Sequence, residues 1–219
     1  MPLPTFSDLA DGPEPAMDVL ALSMAAELRA VDGDAALETL DALGAELALI
    51  ADRTEPGPRE LALASARLLG REHGFDGDRE HYDDPVNSML DLVLSRRRGL
   101  PIVLSVIYVE VARRAGIALA GVGLPGHFVV GHFGVDPPVL LDPFNGGALL
   151  EAPTSGAVQP WDHHRIATRM LNNLVASYQR RGDLGRAIRA AEMRLMLPSE
   201  PSMRETMSAE LRMLQARLN

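Results

Sequence analysis

Residues 83–147 read DDPVNSMLDLVLSRRRGLPIVLSVIYVEVARRAGIALAGVGLPGHFVVGHFGVDPPVLLDPFNGG, and this stretch decides the fold. Asp84 suits an N-cap with Pro85 at the first helical position, and Leu90, Val93 and Leu94 supply one apolar face. Three arginines and Gly99 mark the end of that helix. Pro101 then starts a helix running through Arg114. Its first turns carry Ile102, Val103, Leu104, Val106 and Ile107 with no polar face, the pattern of a helix buried on all sides. Beyond Gly116 the period changes. Residues 117–122, 127–133 and 139–141 are short, β-branched or aromatic runs separated by Gly and Pro, which predicts an antiparallel meander on the buried helix.

Working outward, the first third of the chain predicts helices over 17–30 and 34–52, and a third opened by Pro58 and carried by Leu61, Leu63, Ala66, Leu68 and Leu69. The turn formers Gly74 to Asp78 end it. From Trp161 the chain returns to helices, broken at Gly182 and Pro198, with a last one over 202–218. The fold class expected is α+β: a helical N-terminal layer, a buried helix against a small antiparallel sheet, and a C-terminal helical hairpin. Two units are expected, residues 1–155 and 160–219.

Composition bounds the function. The 219 residues carry a formal charge of −9 with 47% hydrophobic content, enough for a substantial core. An acidic chain is a poor non-specific ligand for nucleic acid, where phosphates must be neutralised. The basic clusters at 96–98, 113–114 and 180–181 each fall near a helix end, where cations complement the helix dipole. No apolar run reaches the ~18–20 residues that a membrane span requires, and the acidic N-terminal stretch does not read as a signal peptide. No cysteine is present, which excludes disulfides, thiolate chemistry and cysteine-ligated zinc. The chain has no P-loop, dinucleotide fingerprint or Gly-x-Ser-x-Gly elbow, so no cofactor is expected. A cytoplasmic setting is the simplest one.

Histidine and aspartate supply the candidate chemistry. His127 opens one predicted strand and Asp142 closes the next, fifteen residues later, a gap that lets two adjacent strands bring the side chains together. Alternation puts His127 on one face of its strand and His132 on the other, and does not choose between them. Asp142 also has a purely structural reading, because Asp-Pro-Phe-Asn-Gly-Gly is good turn chemistry. His163 and His164 follow Asp162, an N-cap candidate, and adjacent histidines on a helix point about 100° apart, so no metal is expected there. The acidic loop holding Asp76, Asp78, Glu80, Asp83 and Asp84 lacks calcium-loop spacing and reads as a solvated loop or a recognition surface.

Several motifs in one order resemble the bacterial SirB-type family, which joins a transglutaminase-like domain to a tetratricopeptide-like tail. They are Gly74-Phe75, Asn87-Ser88, Arg97-Arg98-Gly99-Leu100-Pro101, Pro125-Gly126-His127-Phe128, Leu141-Asp142-Pro143-Phe144-Asn145-Gly146-Gly147, and Met170-Leu171-Asn172-Asn173-Leu174. Tyr178, Gly182, Asp183 and Ala187 have the spacing of one tetratricopeptide unit. The resemblance implies a papain/transglutaminase-like core in which a cysteine at the N-terminus of the central helix works with a His and an Asp. His127 and Asp142 fit the latter two. The nucleophile position falls at Pro101 or Ile102, neither of which can attack anything. Ser105 is the nearest substitute, one turn deeper in the helix, away from the field at its start. The leading expectation is therefore a pseudoenzyme, a transglutaminase-like module that binds a protein or peptide. The alternative is a hydrolase or amide-transfer enzyme using Ser105 or an activated water with the His127–Asp142 pair. A purely structural subunit is the third.

Overall fold

The computed structural model describes residues 3–52, 57–151 and 158–218. A short helix α1 (Phe6–Ala10) leads into α2 (Met17–Ala26) and α3 (Gly33–Ala51). Next comes α4 (Pro58–Ala66), whose last turn widens into a π-helix over Arg67–Glu72. These helices form the N-terminal layer. The central helix α6 (Pro101–Arg114) runs through the core, with Ile102 to Tyr108, Glu110, Val111 and Ala112 all buried. As its all-apolar start predicts, it has helices on one side and the sheet on the other.

The sheet is a four-stranded antiparallel meander, β3 (Leu119–Leu124), β4 (His127–His132), β5 (Val139–Asp142) and β6 (Ala148–Leu150), in chain order. Two features of the strand layout escape the sequence. The strand β6 is one, and the other is a two-residue parallel ladder between β1 (Asp76–Gly77) and β2 (Arg98–Gly99). That ladder corrects the expectation that Gly99 stops the preceding helix. The stop is Arg97, in the left-handed region at φ 58°, and Gly99 pairs with Gly77 instead. Asp84 does cap a helix, but only a 3-10 turn over Pro85–Ser88. Extended backbone at Met89 separates this turn from α5 (Leu90–Arg96). The buried Asn87 accounts for the break, since its amide donates to His81 O at 2.7 Å and its carbonyl accepts from Arg96 at 2.9 Å. These bonds hold the loop rather than extend the helix.

The C-terminal part is α7 (His163–Arg180), α8 (Leu184–Met196) and α9 (Pro201–Leu218), each packed on the next. Asp162 caps α7 and Asp183 caps α8, their Oδ1 atoms accepting from Arg165 N at 2.7 Å and Arg186 N at 3.0 Å. Polar bonds join these helices to the N-terminal half. Arg189 pairs with Glu27 at 2.6 Å, Arg180 pairs with Asp83 at 2.6 Å, and the Ser177 hydroxyl donates to Asp83 O. No helix among the described residues is long and apolar enough to cross a membrane.

Candidate functional site

The hairpin and the meander bring His127 and Asp142 together. Gly126, at φ 71°, turns β3 into β4 and sets His127 opposite Leu124. The pairing of β4 with β5 runs Val130↔Leu141 and Gly131↔Leu140, so continuing it places Asp142 opposite Val129, two residues from His127. Residues two apart on a strand share a face, and a diagonal pair of this kind is within side-chain reach. His127 Nε2 and Asp142 Oδ2 are 2.8 Å apart.

Asp142 is buried and its carboxylate is fully engaged. Phe144 N donates to Oδ1 at 3.0 Å, and Asn145 Nδ2 donates to Oδ2 at 2.6 Å. An ionised carboxylate only accepts, so in the neutral imidazole the arrangement puts the N–H on Nε2 and the lone pair on Nδ1. That Nδ1 has no hydrogen-bond partner among the described residues, and the side chain is 29% exposed. Both readings of Asp142 hold geometrically: it orients an imidazole, and it caps the turn over Pro143–Asn145.

An aromatic row continues from this pair. The Phe144 ring stands edge-on to His127 at 6.3 Å and to the exposed Tyr82 at 5.9 Å. Arg79 lies over Phe144 at 4.9 Å and donates to Phe144 O at 2.9 Å and Asn145 Oδ1 at 2.7 Å. A polar chain therefore runs from Arg79 through Asn145 to Asp142 and His127. Sequence reasoning misses Arg79 and Tyr82, because they lie more than sixty residues from the turn they contact and carry no motif of their own. Much of the acidic loop around them is paired rather than solvated. Asp78 accepts from Arg96 at 3.0 Å and from His81 N at 2.9 Å, and Asp84 pairs with Arg181 at 3.0 Å.

Ser105 does not join the dyad. It is fully buried on α6, and its Oγ has no hydrogen-bond partner. It faces a cavity shared with Phe128, and strand alternation turns His127 to the opposite side of the sheet from Phe128. Pro101 and Ile102 are buried at the start of α6. His132 is buried and accepts from Gly134 N at 3.1 Å, which fixes it as a turn residue, with burial pushing its pKa down. His163 Nδ1 lies 2.7 Å from Pro15 O. Among the described residues no group of three or more His, Asp or Glu could hold a metal ion.

The family model of the transglutaminase-like superfamily matches residues 34–159, more than half the chain and all of the site just described. The chain belongs to the transglutaminase-like superfamily. Among curated relatives, this transglutaminase-like chain is 41% identical over 156 residues to a UPF0162 protein of Xylella fastidiosa, covering 62% of this chain and 55% of that protein. A UPF0162 protein of Vibrio cholerae is 36% identical over 118 residues, covering 53% and 41%. Human F-box only protein 21 is 39% identical over 56 residues, which is 26% of this chain and 9% of that protein. The chain thus spans about half the length of the UPF0162 relatives it matches. No solved structure matches it.

Proposed function

We propose that the chain is a non-catalytic transglutaminase-like module of the SirB type that binds a protein or peptide segment on the surface formed by Tyr82, Phe144 and His127. The observation that carries this reading is an ordered His127–Asp142 pair with no thiol anywhere in the chain and no hydroxyl bonded to it among the described residues. The adjoining surface has the residue types that anchor interfaces, an exposed tyrosine in edge contact with a phenylalanine and an arginine over the ring. On this reading residues 1–155 are the transglutaminase-like unit and 160–219 a tetratricopeptide-like tail; the boundary falls partly on residues outside the described ones. A bacterial cytoplasmic setting belongs to this reading, with the bacterial relatives as its support.

Selection of a displayed peptide library on the purified chain, followed by calorimetry, tests the proposal. Tyr82→Ala and His127→Ala weaken the selected peptides by about tenfold or more, while Met213→Ala, on the far helix α9, leaves them unchanged. Equal affinity in all variants refutes the surface. The enzymatic alternative rests on the free Nδ1 of His127 acting on a water molecule. Turnover of glutamine amides, esters or peptides that disappears in His127→Ala would replace the binding reading with the enzymatic one.

A further inference from the structure

On the α6 face of the sheet, away from His127, lies a cavity of about 220 Å³ walled by Val106, Val109, Phe128, Ile166 and the indole of Trp161. Its walls are held by contacts of their own. Trp161 N donates to Gly121 O at 2.9 Å, its ring stands edge-on to Phe128 at 5.4 Å, and the Arg165 guanidinium covers it at 3.8 Å. Gly121 keeps the space open, since a Cβ there would meet Phe128 and Ile166 at 3.0 Å.

One residue of this apolar wall carries a polar group with no partner among the described residues. Ser105 is 0% exposed, lines the cavity, and its Oγ makes no hydrogen bond. Helical serines often bond to the carbonyl one turn back, as Ser65 does to Leu61 O at 3.1 Å. Ser105 does not, and a buried hydroxyl left without a partner costs free energy that a guest can recover. The rim is polar but committed, Asp162 to the cap of α7 and His163 to Pro15 O. Arg165 and Arg169 lie over the Trp161 ring but are not among the lining residues, so an ionised ligand would enter an apolar space with no cationic side chain lining it, which disfavours an anion.

We propose that this cavity binds a small uncharged ring compound bearing one hydroxyl or N–H group, seated on Ser105 with its ring against Phe128 and Trp161. The size is consistent, because an apolar cavity of about 150 Å³ admits benzene and this one leaves room for a polar substituent.

The chain has a single tryptophan, so its fluorescence reports on the cavity. Titration compares phenol with toluene, which has the same shape but no hydrogen-bonding group, and with benzoate, which carries charge. Phenol gives a saturable change and binds roughly tenfold more tightly than toluene, the scale of one buried hydrogen bond; benzoate gives none. Ser105→Ala erases the advantage of phenol and keeps toluene binding, while Val109→Phe fills the space and abolishes both. In parallel, amide chemical shifts of the unmodified protein move at Ser105 and Val109 when phenol is added, a reading that needs no variant. Absence of saturation together with unmoved amides overturns the site. A phenol-to-toluene ratio unchanged in Ser105→Ala overturns the role of the hydroxyl.

Discussion

Asp142 and His127 share a hydrogen bond but not a burden. Asp142 is buried with three partners, two of them in its own turn, whereas His127 is partly exposed with one. Asp142→Ala therefore destabilises by about 2–3 kcal/mol, because the turn loses its acceptor, and His127→Ala by less than about 1 kcal/mol. Urea unfolding of both variants measures the difference, and equal losses would show that the pair stands or falls as one. Asp78 gives a prediction in pH. The His81 backbone N–H and then Arg96 hold its carboxyl below the usual range, against the opposing effect of burial. Its stabilising contribution is present above the ordinary value of about 3.9 and fades as pH falls through the lower folded one. Denaturant unfolding across the acid range should find Asp78→Asn less stable than the parent at neutral pH, with the gap closing below about pH 4. At this scale the fifteen-residue gap permits the dyad, and the Pro125-Gly126-His127-Phe128 motif, rather than alternation, singles out His127 over His132. The sequence leaves Ser105 ambiguous, because helical periodicity does not say which side of the sheet a buried serine will face.

The central helix α6 is plain from its run of apolar residues, and three of the meander's four strands from the Gly and Pro between them. The contacts of α6 are not. Tyr108 is fully buried with an unpartnered hydroxyl close to where side chains would stand at Gly70 and Gly147, and burial, with the charges of Asp76 and Asp142 adding, raises its pKa strongly. Removing an unsatisfied buried hydroxyl relieves a desolvation cost, so Tyr108→Phe is neutral or stabilising by up to about 1 kcal/mol. Thermal unfolding reads this directly, and a loss of stability would reveal a partner for the hydroxyl, such as an ordered water. The ladder of β1 with β2 stayed hidden for a different reason. Two residues carry no measurable period, and their partners lie over twenty positions away.

Across the molecule, arginines fasten the layers. Arg114 of α6 donates to Asp18 of α2 at 2.6 Å, to Asp41 of α3 at 2.6 Å, and to Glu110 of its own helix at 3.0 Å. Asp18 and Glu110 are almost wholly buried, and burial first, then the charge of Asp18, raises the pKa of Glu110 against the pull of Arg113 and Arg114. Arg114→Met takes from the enclosed Asp18 its nearest cation and leaves Glu110 with Arg113 alone, at 2.8 Å, and costs about 3–5 kcal/mol at neutral pH, as equilibrium unfolding would measure. A cost near zero would mean that Arg113, 3.6 Å from Asp18, takes over. Reading these arginines as complements of helix dipoles was sound for their positions along the chain and incomplete in space. Apart from Glu110 on the same helix, the carboxylate partners of Arg114 come from other helices, 73 and 96 residues away for Asp41 and Asp18, and one chain read alone does not reveal such pairs.

The start of α6 bears on whether thiol chemistry could be built into this fold. Pro101 contributes no N–H to the helix end, so one donor that would steady an anion is gone. Ile102 is sealed in hydrocarbon at 2% exposure. A sulfur engineered at 102 would thus sit in surroundings that keep it protonated and unreactive towards alkylating agents. Installing a reactive thiol here would take remodelling of this doorway as well as a sulfur atom.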